Sequence, residues 1–319
     1  RHELDHRRFF DVTGLVGLRM ERPAVFAHTH RRLLDLVRAG AVDGLRIDHI
    51  DGLRRPGRYL TTLAAHAPAA WTIVEKILVP GEVLPAWPVA GTTGYDVLND
   101  IQRVLVPPDA DDALAAIAVE LTGDARDFDA VATDAKRDVL RELLAPELER
   151  VVDLAVAAAR AHLDWRDLTR SELHAAVTEV LCAMPVYRTY LAEEVNEQDR
   201  ALVDEVLRRA RLAAGDGVDA PDPLAFDAVH GMLGRIGDEV AMSFTARFEQ
   251  LSGALMAKGV EDTAFYRYHR FTAACEVGGD PGLLSITPQE LHARSAAAHE
   301  RHPDRMVTTS THDTKRSED

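Results

Sequence analysis

Apolar residues recur three and four apart from Pro23 to Ala39, at Val25, Phe26, Leu33, Leu34, Leu36 and Val37, and Gly40 follows where a helix-ending glycine belongs. A helix is predicted there. The next run, Val42 to Asp48, is short, apolar and β-branched, and it breaks at Asp48 into the polar stretch His49-Ile50-Asp51-Gly52. That is the pattern of a strand that delivers an acid at its C-terminal end. Tyr59, Leu60, Leu63 and Ala64 predict a second helix, after which Trp71 to Ile77 repeats the buried-strand pattern with Glu75 near its end. Alternation of strand, helix and strand favours parallel strands joined by right-handed crossovers. In a barrel of such strands the functional residues collect on the C-terminal rim.

From Asp96 to Gln250 the pattern changes to long Ala, Leu, Arg, Glu and Asp stretches with helical periodicity, as in Asp127 to His162. An α-helical insertion is expected. Thr169-Arg170-Ser171-Glu172 and Thr287-Pro288-Gln289-Glu290 have capping-box spacing, the second with proline at the favoured first helical position. Arg211 to Pro223, rich in Gly, Asp and Pro, reads as a loop. Met306 to Ser310 is β-prone and runs straight into Thr311-His312-Asp313, which predicts a third strand ending in an acid.

Composition narrows the partners. The 319 residues are 46% hydrophobic and 28% charged, enough for a large core. The formal net charge of −15, with arginines interleaved among acids, disfavours nucleic acid. No run approaches the ~18 apolar residues of a membrane span, and the polar start RHELDHRRFF lacks the apolar stretch of a signal peptide, so a cytoplasmic protein is expected. Cys182 and Cys275 have no close-spaced partner, and neither a metal nor a cofactor is expected. The first residue is not Met and the chain ends within a polar stretch, which reads as an excised fragment.

Three strand-like runs each delivering a carboxylate match what retaining glycoside chemistry requires: two carboxyls roughly 5–5.5 Å apart, one to attack the anomeric carbon and one to protonate the leaving oxygen. Arg46, two residues before Asp48 and so on the same strand face, is placed to keep Asp48 ionised as the nucleophile. Glu75, embedded in Ile73-Val74-Glu75, is placed to keep its proton as the acid/base. Taken singly, each acid also fits a plainer reading: an Arg46–Asp48 ion pair, a Glu75–Lys76 surface pair, a solvated acidic tail.

Five segments, GLRIDHIDGL, VEKIL, GTTGYDVLN, AKGVEDTAFYRY and STHDTKRSED, resemble successive signature segments of the maltooligosyl trehalose synthases of the α-amylase superfamily, glycoside hydrolase family 13. The connecting text RRFFDV, AKRDVLRELL, PVYRTY and EVGGDPG carries the resemblance through the chain. One departure is Asp5-His6, where the family usually has Asn-Tyr before RRFF. The resemblance implies an α/β fold, part of a TIM (β/α)8 barrel with a large α-helical insertion: barrel parts over 1–95 and 251–319, and the insertion over 96–250. It places Arg46 and Asp48 on the fourth barrel strand, Glu75 on the fifth and His312-Asp313 on the seventh. Strands one to three, with the third-strand motif, and strand eight would lie outside the chain, so the isolated chain is expected to be inactive.

By the same resemblance Asp48, Glu75 and Asp313 act as nucleophile, acid/base and transition-state stabiliser. Arg46, His49, Asp51, Tyr95, Asp96, Lys258, Glu261, Asp262, Tyr266, His312 and Lys315 are the expected substrate-binding residues. Lys258 and Lys315 are two of the chain's four lysines, and both fall in signature segments. The implied substrate is a maltooligosaccharide, and the implied functional partner a trehalose-releasing hydrolase acting on the product. Three alternatives share parts of this pattern: an α-glucan hydrolase with the same carboxylates, a metal-dependent hydrolase built on Asp48, His49, Asp51, His312 and Asp313, and a non-enzymatic helical interaction module.

Overall fold

A computed structural model describes residue 4, residues 6–215, residue 217 and residues 220–317. In chain order the elements are β1 (Arg8–Phe9), β2 (Val12–Val16), α1 (Pro23–Arg38), β3 (Gly44–Ile47), α2 (Pro56–His66), β4 (Trp71–Val74), β5 (Gly91–Thr92), α3 (Tyr95–Val104) and α4 (Ala110–Thr122). They continue as α5 (Phe128–Glu142), α6 (Ala145–Arg160), α7 (Arg170–Ala183), α8 (Glu197–Ala214), α9 (Pro223–Met232), α10 (Glu239–Leu255) and α11 (Pro288–Arg301). The described residues divide into two compact units, one within Met20–Ile50, Pro56–Ala132 and Val260–Asp319, the other within Arg1–Arg19, Asp51–Arg55 and Thr133–Gly259.

The first unit holds a parallel sheet of order β3-β4-β5. Its β3–β4 register pairs Gly44 with Trp71 and Ile47 with Val74. Gly44 is required where Trp71 crosses it, because a Cβ there would lie 2.9 Å from the indole. Phe26 and Leu34 of α1 and Leu63 of α2 bury against Leu45 of β3. His30 of α1 stacks on Phe26 with ring centroids 4.2 Å apart and bonds the Tyr59 hydroxyl of α2 at 2.8 Å. Burial lowers its pKa, so it stays a neutral member of this core. Gly40 takes the left-handed conformation (φ 65°) just past α1, as the sequence pattern requires.

The second unit is helical, apart from the β1–β2 hairpin. Helix α6 packs on α10 and α7, and α7 on α8 and α9. Both predicted capping boxes form: Thr169 and Glu172 exchange side chain–backbone hydrogen bonds at the start of α7, and Thr287 and Glu290 do so at the start of α11 in the first unit. In the second unit, Arg188 and Glu249 are wholly buried and paired at 3.2 Å. Arg188 also donates to the carbonyls of Asp51, Leu53 and Arg54, fastening the segment that follows β3.

Several expectations change. Met306 to Ser310 is not a strand; it passes beside the left-handed Gly94, where a Cβ would meet Thr308 N at 3.1 Å, but it forms no ladder. Its β-prone side chains were legible, whereas a ladder needs a partner edge that no local pattern supplies. The hairpin β1–β2 and the two-residue strand β5 were not anticipated. The loop placed from Arg211 begins later, since α8 runs to Ala214. Helices α3 and α4 fall in the sheet-bearing unit, where Asn99 and Arg103 of α3 bond the Val277 and Leu283 carbonyls and Asp100 pairs with Arg294 of α11 at 2.8 Å. Among the described residues no helix is long and apolar enough to cross a membrane.

Candidate active site

Because β3 and β4 are parallel and pair Ile47 with Val74, the residues just past that pair, Asp48 and Glu75, leave adjacent strand ends on the same edge of the sheet. The Glu75 amide still donates to the Ile47 carbonyl at 2.8 Å, which fixes where the glutamate departs. One residue after Asp48, His49 adopts a left-handed backbone (φ 47°), uncommon outside glycine. That turn aims the His49 amide at the Glu75 carboxylate, to which it donates. Strain at this position is compensated by a hydrogen bond to the acid.

Arg46 bonds and pairs with Asp48. Burial works to lower the Arg46 pKa, but the hydrogen bond and charge of Asp48, with Glu75 and Tyr95, leave it raised, so the guanidinium stays charged beside the acid. Glu75 is pushed up to about 7, chiefly by burial and then by the Asp48 charge, with a smaller push from Asp313; the His49 amide and Arg46 oppose the rise. The sheet edge therefore carries one carboxylate held against an arginine and a second poised to keep a proton near neutrality. Lys76 is buried and paired with Glu82 at 2.8 Å, so the Glu75–Lys76 surface pair does not describe this site.

Asp313 lies in the turn after residue 310, close enough to act on Glu75, and its carboxylate pairs with His312 Nε2 at 2.9 Å. Tyr95, buried at the start of α3, shares a 2.9 Å hydrogen bond with the Thr311 hydroxyl, and burial pushes its pKa up to about 12. Asp96 accepts from the Thr92 hydroxyl at 3.1 Å. Lys315 reaches Asp262 at 2.7 Å, Glu261 is buried nearby in sequence, and the half-exposed Tyr266 ring has the Arg316 guanidinium 5.5 Å from its centroid. Asp48, Glu75, Asp313, Arg46, His49, Tyr95, Asp96, Glu261, Asp262, Tyr266, His312 and Lys315 all belong to the sheet-bearing unit.

Asp51 and Lys258 belong to the helical unit. Asp51 is buried and accepts from the Tyr190 hydroxyl at 2.6 Å. Lys258 sits in a π-helical turn, Met256–Glu261, that continues α10; it pairs with Asp11 at 3.5 Å and lies 5.3 Å from the Phe10 ring centroid. Single π turns within helices occur frequently at functional sites. Reading the sequence for acids at strand ends passed over Glu276, wholly buried, whose carboxylate accepts from the backbone amides of Val277, Lys315 and Arg316. The only signal was the EVGGDPG text, in which a lone acid precedes two glycines.

Among the described residues no three or more His, Cys, Asp and Glu side chains are grouped to hold a metal ion. The sheet-bearing unit also has a cavity of about 450 Å³ lined by Leu78 to Leu84, α3 and α11; of the expected site residues it includes Asp96 alone.

The edge of the sheet thus sets a carboxyl tuned toward neutrality beside an arginine-paired carboxylate. The chain is similar along its length to proteins named maltooligosyl trehalose synthase. A Mycobacterium tuberculosis protein provisionally named maltooligosyl trehalose synthase is 37% identical over 322 residues, covering 100% of this chain and 39% of that protein. The structure of maltooligosyltrehalose synthase from Arthrobacter ramosus matches with a TM-score of 0.86 and 41% identity, covering 99% of this chain and 39% of that one. A Sulfolobus tokodaii structure titled a hypothetical maltooligosyl trehalose synthase matches at 0.76 and 27% identity, over 98% of this chain and 38% of that one. No protein-family model matches. The resemblance to maltooligosyl trehalose synthases thus holds along the whole chain, which spans about two-fifths of the length of the curated relatives it matches.

Proposed function

We propose that this chain supplies the catalytic carboxylates of a maltooligosyl trehalose synthase, an isomerase that turns the reducing-end α-1,4 linkage of a maltooligosaccharide into an α,α-1,1 linkage. The observation that carries the proposal is Glu75, held near pH 7 beside Asp48, with Asp48 paired to Arg46. Asp48 attacks the anomeric carbon of the penultimate glucosyl unit while Glu75 gives its proton to the departing glycosidic oxygen. The C–O bond to the terminal glucose breaks and a glycosyl-enzyme ester forms. The released glucose turns and presents its anomeric hydroxyl; Glu75, now ionised, takes that proton as the oxygen attacks and displaces Asp48.

Asp313 and His312 hold sugar hydroxyls and favour the oxocarbenium-like ring. Lys315 with Asp262, together with Glu261, Tyr95, Asp96, His49 and Tyr266, shape the subsite that retains glucose and excludes water, which is what separates rearrangement from hydrolysis. The parallel sheet β3-β4-β5 is read as part of a (β/α)8 barrel, interrupted by helices within 96–250. The product would be the substrate of a trehalose-releasing hydrolase.

The test follows reducing ends and free glucose together when the full-length protein acts on maltopentaose, with D48N as control. Reducing ends that vanish without matching glucose release support the synthase. Rising reducing ends with accumulating glucose or shorter dextrins would assign the same carboxylates to a hydrolase.

A further inference from the structure

The turn that carries Asp313 is fastened at both of its ends. At the near end Thr311 bonds the Tyr95 hydroxyl, and within the turn Asp313 N donates to the Thr311 hydroxyl at 3.1 Å while Thr314 donates to the Thr311 carbonyl at 2.8 Å. At the far end the amides of Lys315 and Arg316 donate to the two oxygens of Glu276 at 2.6 and 2.9 Å. Glu276 is fully buried, so this is a bidentate grip on consecutive backbone amides away from water, where a hydrogen bond to a charged acceptor is at its strongest.

The grip itself is anchored. Asn99 donates to both the Tyr95 carbonyl and the Val277 carbonyl at 2.8 Å, joining the residue after Glu276 to the helix that carries Tyr95. Gly279 admits no side chain, since a Cβ would lie 2.5 Å from the Ala274 carbonyl and 2.7 Å from that of Glu276. Both clamps on the turn therefore rest on α3 and the segment after Cys275.

We infer that Glu276 is a positioning residue: by holding the amides of Lys315 and Arg316 it sets where Asp313 and Lys315 stand relative to Glu75. The inference rests on the functional reading above and goes beyond it, because Glu276 is wholly buried and its carboxylate is taken up by backbone amides, so it acts through the turn. Glutamine at 276 keeps one acceptor oxygen but turns an NH₂ toward a backbone amide, so it restores only part of the grip.

The experiment compares the full-length protein with E276A and the isosteric E276Q on maltopentaose, alongside amide hydrogen exchange at Lys315 and Arg316. The expected result is tenfold or greater acceleration of exchange at those two amides in E276A, with kcat down by about tenfold to a hundredfold and KM changed by less than about threefold. E276Q should fall between E276A and wild type in both readouts, and a larger share of turnovers should end as free glucose. Unchanged exchange, or kcat retained in both variants, would overturn the inference. A wild-type protein that leaves maltopentaose unaltered would overturn the functional reading and the catalytic half of this inference, whereas exchange judges the clamp by itself.

Discussion

Glu75 is costly to ionise because it sits half out of water next to Asp48, and that cost has two measurable consequences. As the proton donor it must be protonated, so kcat/KM should fall about tenfold per pH unit above pH ~7, the value to which burial and the Asp48 charge push it. A profile flat to pH 9 would exclude Glu75 as the acid. The second consequence is thermodynamic. A carboxyl whose folded pKa exceeds its unfolded value binds more protons folded than unfolded, so it destabilises the fold as pH rises from about 4.5 to about 7. E75Q should therefore raise the melting temperature at pH 8, by the equivalent of up to about 3 kcal/mol, with the gain shrinking toward pH 4.5. A pH-independent difference would contradict the origin assigned to the shift.

The strand-end placement of Asp48 and Glu75 and the Arg46–Asp48 pair were legible because their signals are local: an arginine two residues before an acid, and an acid closing an apolar run. Glu276 was not legible, because its partners lie 39 and 40 residues away and nothing in the local pattern marks a carboxylate as a receiver of distant amides. The hydroxyl partner of Asp51, Tyr190, lies 139 residues away and has no mark in the local pattern either.

At the scale of elements, strong periodicity and cap chemistry carried the most information. Helices α1, α2, α7 and α11 formed where spacing and capping boxes put them, since those signals are satisfied within one turn of chain. Strand identity at Met306 to Ser310 was illegible because pairing is non-local. The link after β3 depends on a non-local device of another kind, the buried Arg188 with its three carbonyls and Glu249. R188A removes that donor from the three carbonyls and leaves Glu249, still bonded by Thr189 and Ala192, without its cation, and should cost about 3–5 kcal/mol in denaturant unfolding. E249Q should cost much less near neutral pH, because burial already pushes Glu249 up to about 7. Equal losses from the two variants would show that the pair does not hold the link in this way.

Over the whole molecule, resemblance in the sequence extended from RRFFDV to STHDTKRSED, and the similarity to solved maltooligosyltrehalose synthase structures covers the same span. What composition and periodicity could not supply was which helices share a core with the sheet. Helices α3 and α4 read as the start of an insertion, yet they fall in one compact unit with β3-β4-β5. The central claim remains that Asp48 attacks and Glu75 donates. It is tested most directly by giving full-length E75Q an α-maltosyl fluoride, whose leaving group needs no acid, and locating the covalent sugar by peptide mass spectrometry. A maltosyl adduct on the peptide at Asp48, absent from the E75Q/D48N double variant, is the predicted result. An adduct on Asp51 or Asp313, or none at all while the fluoride is consumed, would contradict it.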